Sequence, residues 1–329
     1  MSECCTYSQD INTGQSLVAI SVDSACAASL QCDIYIQREP NEEPILYRRK
    51  SHPLEKADLD RLIKRGIETI FISKSHEATY RDRMYEEVCC DETIAPAERF
   101  RVLRDINEAF FEKAFRGGKL DEVVGFSEVL GSQLTEIISR NDLVVEDLLS
   151  LMEFDNGTYT HCINVSTYCL LLATHLGISK VEELESIAAG ALLHDIGKRQ
   201  VQLSVLNKPG PLTDEQREHV QRHPLIGFEE LSLRGDMNWR QLMIVYQHHE
   251  RMDGLGYPTG ISGDEIHPWA RICSIADVFH ALTSIRPYRF PLSVSAASVV
   301  IGGEMKTAFD SEMVKCWNTI MKTTPCFMA

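Results

Sequence analysis

Ala191 to Lys198 reads Ala-Leu-Leu-His-Asp-Ile-Gly-Lys, an apolar run closing on an adjacent imidazole and carboxylate. Groups that are costly to bury sit at the end of a core helix, so something must compensate them. A bound cation would do so, and His161, His223, the pair His248-His249 and Asp277 offer matching nitrogen and oxygen ligands. Taken singly, each has an ordinary explanation as a satisfied core or surface side chain, and Asp277 could simply bond a backbone group. Taken together, five histidines and two aspartates at helix ends or on apolar faces would leave too many buried polar groups unpaired unless they converge.

Imidazole and carboxylate without thiolate suit iron, manganese or zinc in a reactive site rather than a structural zinc-thiolate site. A cation held mainly by neutral histidines keeps net positive charge and acidifies a bound water, toward a pKa of about 7 in the zinc case. Seven ligands exceed what one ion with an open position needs. Two ions sharing Asp195 fit the count, and a pair about 3.5–4 Å apart can hold a bridging hydroxide for attack on phosphorus.

The elements that must position these groups are helices. Apolar periodicity predicts helices over Thr158–His175 carrying His161, Val181–Ile196 ending in His194-Asp195, Gln241–His249 ending in the histidine pair, and Ala270–Ser284 carrying Asp277. Lys208-Pro-Gly-Pro and Gly254-Leu-Gly-Tyr-Pro mark loops between them. Upstream, apolar residues recur at three and four from Ala78 to about Glu153, as in Val102, Ile106, Phe110 and Phe111, which describes packed helices. These faces read as ordinary core, with a dimer interface as the less favoured reading. Earlier still, Leu17–Val22, Asp33–Ile36, Pro44–Tyr47 and Ile67–Ile72 read as strands, with a short helix over Asp58–Arg65. Residues 1–13 are patternless. The expected fold class is mainly α, an all-helical domain at 151–329 preceded by a helical connector at 78–150 and a small α+β domain at 1–77.

At 329 residues the chain can hold two domains, each with a working core. A net charge of −15 argues against binding a DNA or RNA polymer, although Lys and Arg or metal ions can reverse the field inside one cleft. No stretch reaches the ~18 apolar residues of a membrane helix, and Met1-Ser-Glu-Cys-Cys does not read as a secretory signal. Eleven cysteines without a CxxC pair favour reduced thiols. A cytoplasmic location is the expectation.

His194-Asp195-Ile-Gly-Lys198, followed by Leu206–Thr213, Arg222-His-Pro224, His248-His-Glu-Arg-Met-Asp-Gly-Leu-Gly-Tyr-Pro258 and Ala270–Asp277, resembles the HD-GYP domain from about residue 150 to 322. That family is a branch of the HD metal-dependent phosphohydrolases whose members hydrolyse cyclic di-GMP. The resemblance implies an HD-type helical fold and two divalent metals, iron or manganese. One ion would sit on His161, His194, Asp195 and Asp277, and the second on His223, His248 and His249, with Asp195 bridging. It further implies that Lys198 works beside Asp195 in catalysis and contacts phosphate, as do Arg286 and Arg289, and that Tyr257 of the Gly256-Tyr257-Pro258 loop faces the ligand. Arginine suits this role because its planar fork grips phosphate through two bonds. The α+β module is similar, more loosely, to small domains that precede some HD-GYP proteins.

The sequence departs from the family at three places. A third-metal glutamate found in some members is Gly157 here, so two metals are expected, and the usual aspartates at two later positions are His280 and Ile285. His280 lies three residues after Asp277, so an extra ligand is conceivable there. The leading expectation is therefore a phosphodiesterase opening cyclic di-GMP to the linear dinucleotide pGpG or on to GMP through a metal-bridging hydroxide. The alternatives are a cyclic dinucleotide receptor with weak or no turnover, signalling to a protein partner or as a homodimer, and an HD hydrolase of another phosphorylated small molecule.

Overall fold

The computed structural model describes residues 17–139 and 158–322, apart from 23–24, 26–29, 38, 40–41, 53, 207, 209 and 286–289. The chain divides into two compact units, Met1–Phe110 and Phe111–Ala329. That division falls within the stretch 78–150 read from the sequence as a connector.

The first unit is built on four short antiparallel strands, β1 (Leu17–Ser21), β2 (Ile34–Ile36), β3 (Ile45–Arg48) and β4 (Thr69–Ser73), in the order β1-β4-β2-β3. Register explains the composition of its faces. Leu17 and Ala19 line up with Phe71 and Tyr35 on one face, while Val18 and Ile20 lie with Ile34, Ile36, Ile70 and Ile72 on the other. Period-two alternation of apolar residues on both sides makes a sheet buried on both faces, and Ile70 and Ile72 are fully buried. Helix α1 (Lys56–Lys64) adds buried Leu59 and Leu62, and its Asp58 pairs with Arg48 and Arg61 at 2.9 and 2.6 Å. Helix α2 (Glu77–Met84) and the start of α3 (Pro96–Gly117) follow. No His or Asp cluster with metal-ligand geometry lies here among the described residues.

The second unit is helical: α4 (Leu120–Ser139), α5 (Thr158–His175), α6 (Val181–Leu192), α7 (Leu203–Leu206), α8 (Asp214–Gln221), α9 (His223–Ser232), α10 (Trp239–Gln247), α11 (Pro268–Thr283), α12 (Val294–Val299) and α13 (Ser311–Lys322). Helix α6 is central, packed by α4, α5 and α10. Its buried Ala188-Ala-Gly-Ala191 stretch lets neighbours approach closely; a Cβ on Gly190 would meet Ile244 at 2.7 Å. Tyr168, Phe279 and Trp317 meet edge to face with ring centroids 4.8–5.6 Å apart, tying α5, α11 and α13 together. Each such pair contributes about 0.5–1.5 kcal/mol beyond burial. None of the described helices is long and apolar enough to cross a membrane.

Candidate metal centre

The helices deliver their polar groups to one place. His161 lies in the second turn of α5 and Asp277 in the middle of α11. Helix α6 stops at Leu192, four residues short of the expected Ile196, so His194 and Asp195 occupy a turn that leads into a 3₁₀ segment at Ile196–Gln200 carrying Lys198. The glycine of His-Asp-Ile-Gly-Lys has a steric purpose. A Cβ on Gly197 would land on the His223 carbonyl and lie 2.8 Å from the Gly227 nitrogen. Backbone-to-backbone contact thus brings His223, the first residue of α9, up to Asp195. His248 and His249 follow directly on α10.

Three of the histidines are oriented in the same way. Nδ1–H of His194 donates to the Ala191 carbonyl at 2.6 Å, that of His223 to Val220 at 2.8 Å, and that of His248 to Val245 at 2.9 Å. A carbonyl can only accept, so each neutral ring turns an unprotonated Nε2 toward the centre. Asp195 stands among these nitrogens. Its Oδ1 is 3.1 Å from His223 Nε2 and 3.9 Å from His248 Nε2, and its Oδ2 is 3.4 Å from His194 Nε2 and 3.7 Å from His161 Nε2. The Nε2 atoms of His161 and His194 lie 3.2 Å apart, as do those of His223 and His248. Two ligand groups result, His161-His194-Asp195 and Asp195-His223-His248-His249. Asp277 joins the edge, 3.2 Å from His161 Nε2 and 3.8 Å from His249 Nδ1.

This is a cluster of nitrogen and oxygen ligand atoms, almost wholly buried, and Asp195 Oδ1 makes no hydrogen bond. Lone pairs and carboxylates crowded in a buried site need a proton or a cation among them. The titration directions follow from that field. Burial opposes ionisation of Asp195, but Lys198, with Nζ 2.6 Å from Oδ2, and His194 hold it far below the usual carboxylate range. Burial also opposes ionisation of Asp277, and His161 overcomes it. Burial pushes His161, His223 and His248 down, favouring their neutral forms, whereas at His194 the adjacent Asp195 outweighs burial and raises the imidazole. The all-nitrogen-and-oxygen donor set, its burial and its orphaned carboxylate oxygen fit a divalent cation site.

On the open side, Tyr257 lies over His249 with ring centroids 4.6 Å apart and 32° between planes. Its loop folds back tightly, since a Cβ on Gly256 would be 2.5 Å from the Glu250 Cα and the Arg251 nitrogen. Buried Glu250, which sequence reasoning missed, pins this loop: Oε1 accepts from Thr259 N at 2.7 Å and Thr259 Oγ1 at 2.6 Å, and Oε2 accepts from Gly260 N at 3.1 Å. Its position directly after the histidine pair and before a glycine-rich loop was the available signal. Asn164, one turn from His161, was also missed. His280 is no extra ligand in either group; its Nδ1 instead meets His161 Nδ1 at 2.9 Å, on the side of the ring away from the centre. Arg286, Arg289 and Gly157 lie outside the described residues, and Ile285 is partly exposed.

Fold and site together define a helical protein with a buried His/Asp centre suited to divalent metals. A profile described as the HD domain matches residues 133–313, more than half of the chain, and the chain belongs to that family. A cyclic di-GMP phosphodiesterase response regulator of Xanthomonas campestris pv. campestris is 38% identical over 187 residues, covering 56% of this chain and 49% of the relative. A cyclic di-GMP phosphodiesterase of Thermotoga maritima is 37% identical over 182 residues, covering 54% and 49%, and a 3′3′-cGAMP-specific phosphodiesterase of Vibrio cholerae is 37% identical over 156, covering 47% and 33%. The match thus spans half or less of these relatives' length. An HDG"Y"P protein from Bdellovibrio bacteriovorus superposes with a TM-score of 0.68 over 93% of this chain and 99% of its own, at 21% identity, a likeness of fold.

Proposed function

We propose that the chain is a metal-dependent phosphodiesterase that opens cyclic di-GMP, or a related cyclic dinucleotide, to a linear product. The observation that carries this reading is the convergence of the Nε2 atoms of His194, His223 and His248 on the two oxygens of one buried aspartate. The relatives named for cyclic di-GMP and 3′3′-cGAMP support the substrate class.

Asp195 divides its oxygens between the two histidine groups and would be shared by two ions, with His161, His194 and Asp277 holding one and His223, His248 and His249 the other. Iron or manganese suits these ligands. Two such ions, when bound, would acidify a water and supply positive charge for the phosphate oxygens. The rest falls to the chain. Lys198, whose Nζ lies 2.6 Å from Asp195 Oδ2, is placed to neutralise a non-bridging phosphate oxygen, a charge that Arg286 and Arg289 would share. Tyr257 covers the cleft and offers a base or ribose its ring face. The α+β module at 1–77 is assigned regulation or partner binding, and 78–150 the connection, with a homodimer or a signalling protein as candidate partners. Seven described cysteines are free thiols, which suits the cytoplasm.

The test is incubation of anaerobically purified, Mn- or Fe-loaded protein with cyclic di-GMP and 3′3′-cGAMP. Linear product from wild type and none from His194→Ala or Asp195→Ala supports the reading; two bound metals with both dinucleotides intact refutes it in favour of a receptor.

A further inference from the structure

His161 is anchored unlike the other oriented histidines. Where His194, His223 and His248 give Nδ1–H to carbonyls that can only accept, His161 Nδ1 meets Nδ1 of His280, a ring that can donate or accept. His280 is itself buried, and its Nε2 lies 3.0 Å from Asn164 Nδ2. Asn164 is fully buried, and its Oδ1 has no hydrogen-bond partner. Ser284 Oγ donates to the His280 carbonyl at 2.7 Å and sits 3.1 Å from both ring nitrogens, so it can accept from whichever carries the proton.

One polarity of this chain runs toward the centre. Asn164 Nδ2–H donates to His280 Nε2, His280 Nδ1–H to His161 Nδ1, and His161 Nε2–H to Asp277 Oδ1 at 3.2 Å. In that state His161 presents a proton and cannot ligate. The opposite polarity has His161 Nδ1–H donating to His280 Nδ1, and His280 Nε2–H donating to Asn164 Oδ1 once the amide turns over about χ2. Each ring keeps one proton throughout, and His161 Nε2 is then bare. A carboxylate at position 280 would permit only the second state.

We propose that His280, with Asn164, is a positioning element that sets which nitrogen of His161 faces the cleft, making His161 a conditional ligand and its metal the weaker bound of the two. The proposal rests on the metal-centre reading. Outer-shell partners of this kind change metal affinity by about 10–100-fold. The test is calorimetric titration of the full chain with Zn²⁺, a diamagnetic probe, for wild type, His280→Asp, His280→Phe and His194→Ala, together with two-bond ¹H–¹⁵N spectra that assign the protonated nitrogen of His161. The expected result is a weaker Zn²⁺ step tightened about 10-fold in His280→Asp and weakened in His280→Phe. His161 should carry its proton on Nε2 in the metal-free wild type and on Nδ1 when loaded. Equal affinities in folded wild type and His280→Asp, or Nδ1–H in metal-free wild type, overturns the proposal while leaving the centre intact. Absence of any Zn²⁺ binding overturns the centre and the proposal with it. If His280→Phe does not fold, His280→Asp and the wild-type spectra decide alone.

Discussion

Replacing Gly197 with alanine places a methyl group in the contact that joins the Asp195 turn to the start of α9. The new carbon would lie 2.9 Å from the His223 carbonyl carbon and 2.8 Å from the Gly227 nitrogen, closer still to the carbonyl oxygen, and all of these are backbone. No side chain can rotate aside, so the two segments must part by roughly 0.5 Å or more, and overpacking of this kind costs about 1–3 kcal/mol. His223 moves with its own backbone, so its 3.1 Å approach to Asp195 Oδ1 and 3.2 Å approach to His248 Nε2 both lengthen. Misplacement on this scale costs up to about 100-fold in a positioned site. Gly125→Ala is the control: it lies inside α4 with open space around its Cβ position, and gains about 0.5–1 kcal/mol from helix propensity. Urea denaturation should therefore move in opposite directions for the two variants, and calorimetry should show weakened metal binding only for Gly197→Ala. Equal stability of Gly197→Ala and wild type, with both metals still bound, would refute this account of how the site is assembled.

Glu250→Ala leaves the Thr259 and Gly260 donors without their acceptor, so Tyr257 loses its fixed place over His249; KM for the dinucleotide should rise about 10-fold with metal content unchanged. Asp253 accepts from Arg251 Nε and Nη2 at 2.9 and 2.6 Å and from Thr307 Oγ1 at 2.8 Å, and Arg251 foremost holds its carboxyl below the ordinary range. Its contribution is present above the unfolded carboxylate value of about 4 and fades as pH falls through the lower folded value, so Asp253→Asn should flatten the loss of stability below about pH 4 in acid-dependent urea melts. Lys198→Met removes the cation beside Asp195 Oδ2; metals should still bind, while kcat falls by about 100-fold, which steady-state kinetics would register.

The site was legible in the sequence because its chemistry is local and costly. Histidines and aspartates at helix ends announce themselves as unpaired buried groups, and the order of His194-Asp195, His223, His248-His249 and Asp277 left few ways to satisfy them. The α+β character of the first unit was legible too, because β-branched and aromatic residues dominate short runs such as Leu17–Ser21 and Thr69–Ser73 between polar breaks. Strand order was not, since pairing β1 with β4 depends on tertiary packing. The end of α6 was also misjudged: Leu193 and Ile196 continue the apolar helical spacing, yet the chain turns after Leu192, and Lys198 N donates to the Asp195 carbonyl at 2.9 Å where the 3₁₀ segment begins. Glu250 and Asn164 escaped notice because Glu250 acts on a loop and Asn164 on His280 rather than at the centre. His280 was noticed as a departure, but helical spacing from Asp277 suggested a ligand, whereas its ring packs behind His161.

The most direct test is turnover of cyclic di-GMP by one anaerobic sample whose metal content is measured at the same time. Two equivalents of iron or manganese, linear product from wild type and no product from His194→Ala or Asp195→Ala is the result the account predicts. Two bound metals and an unchanged cyclic dinucleotide would contradict it.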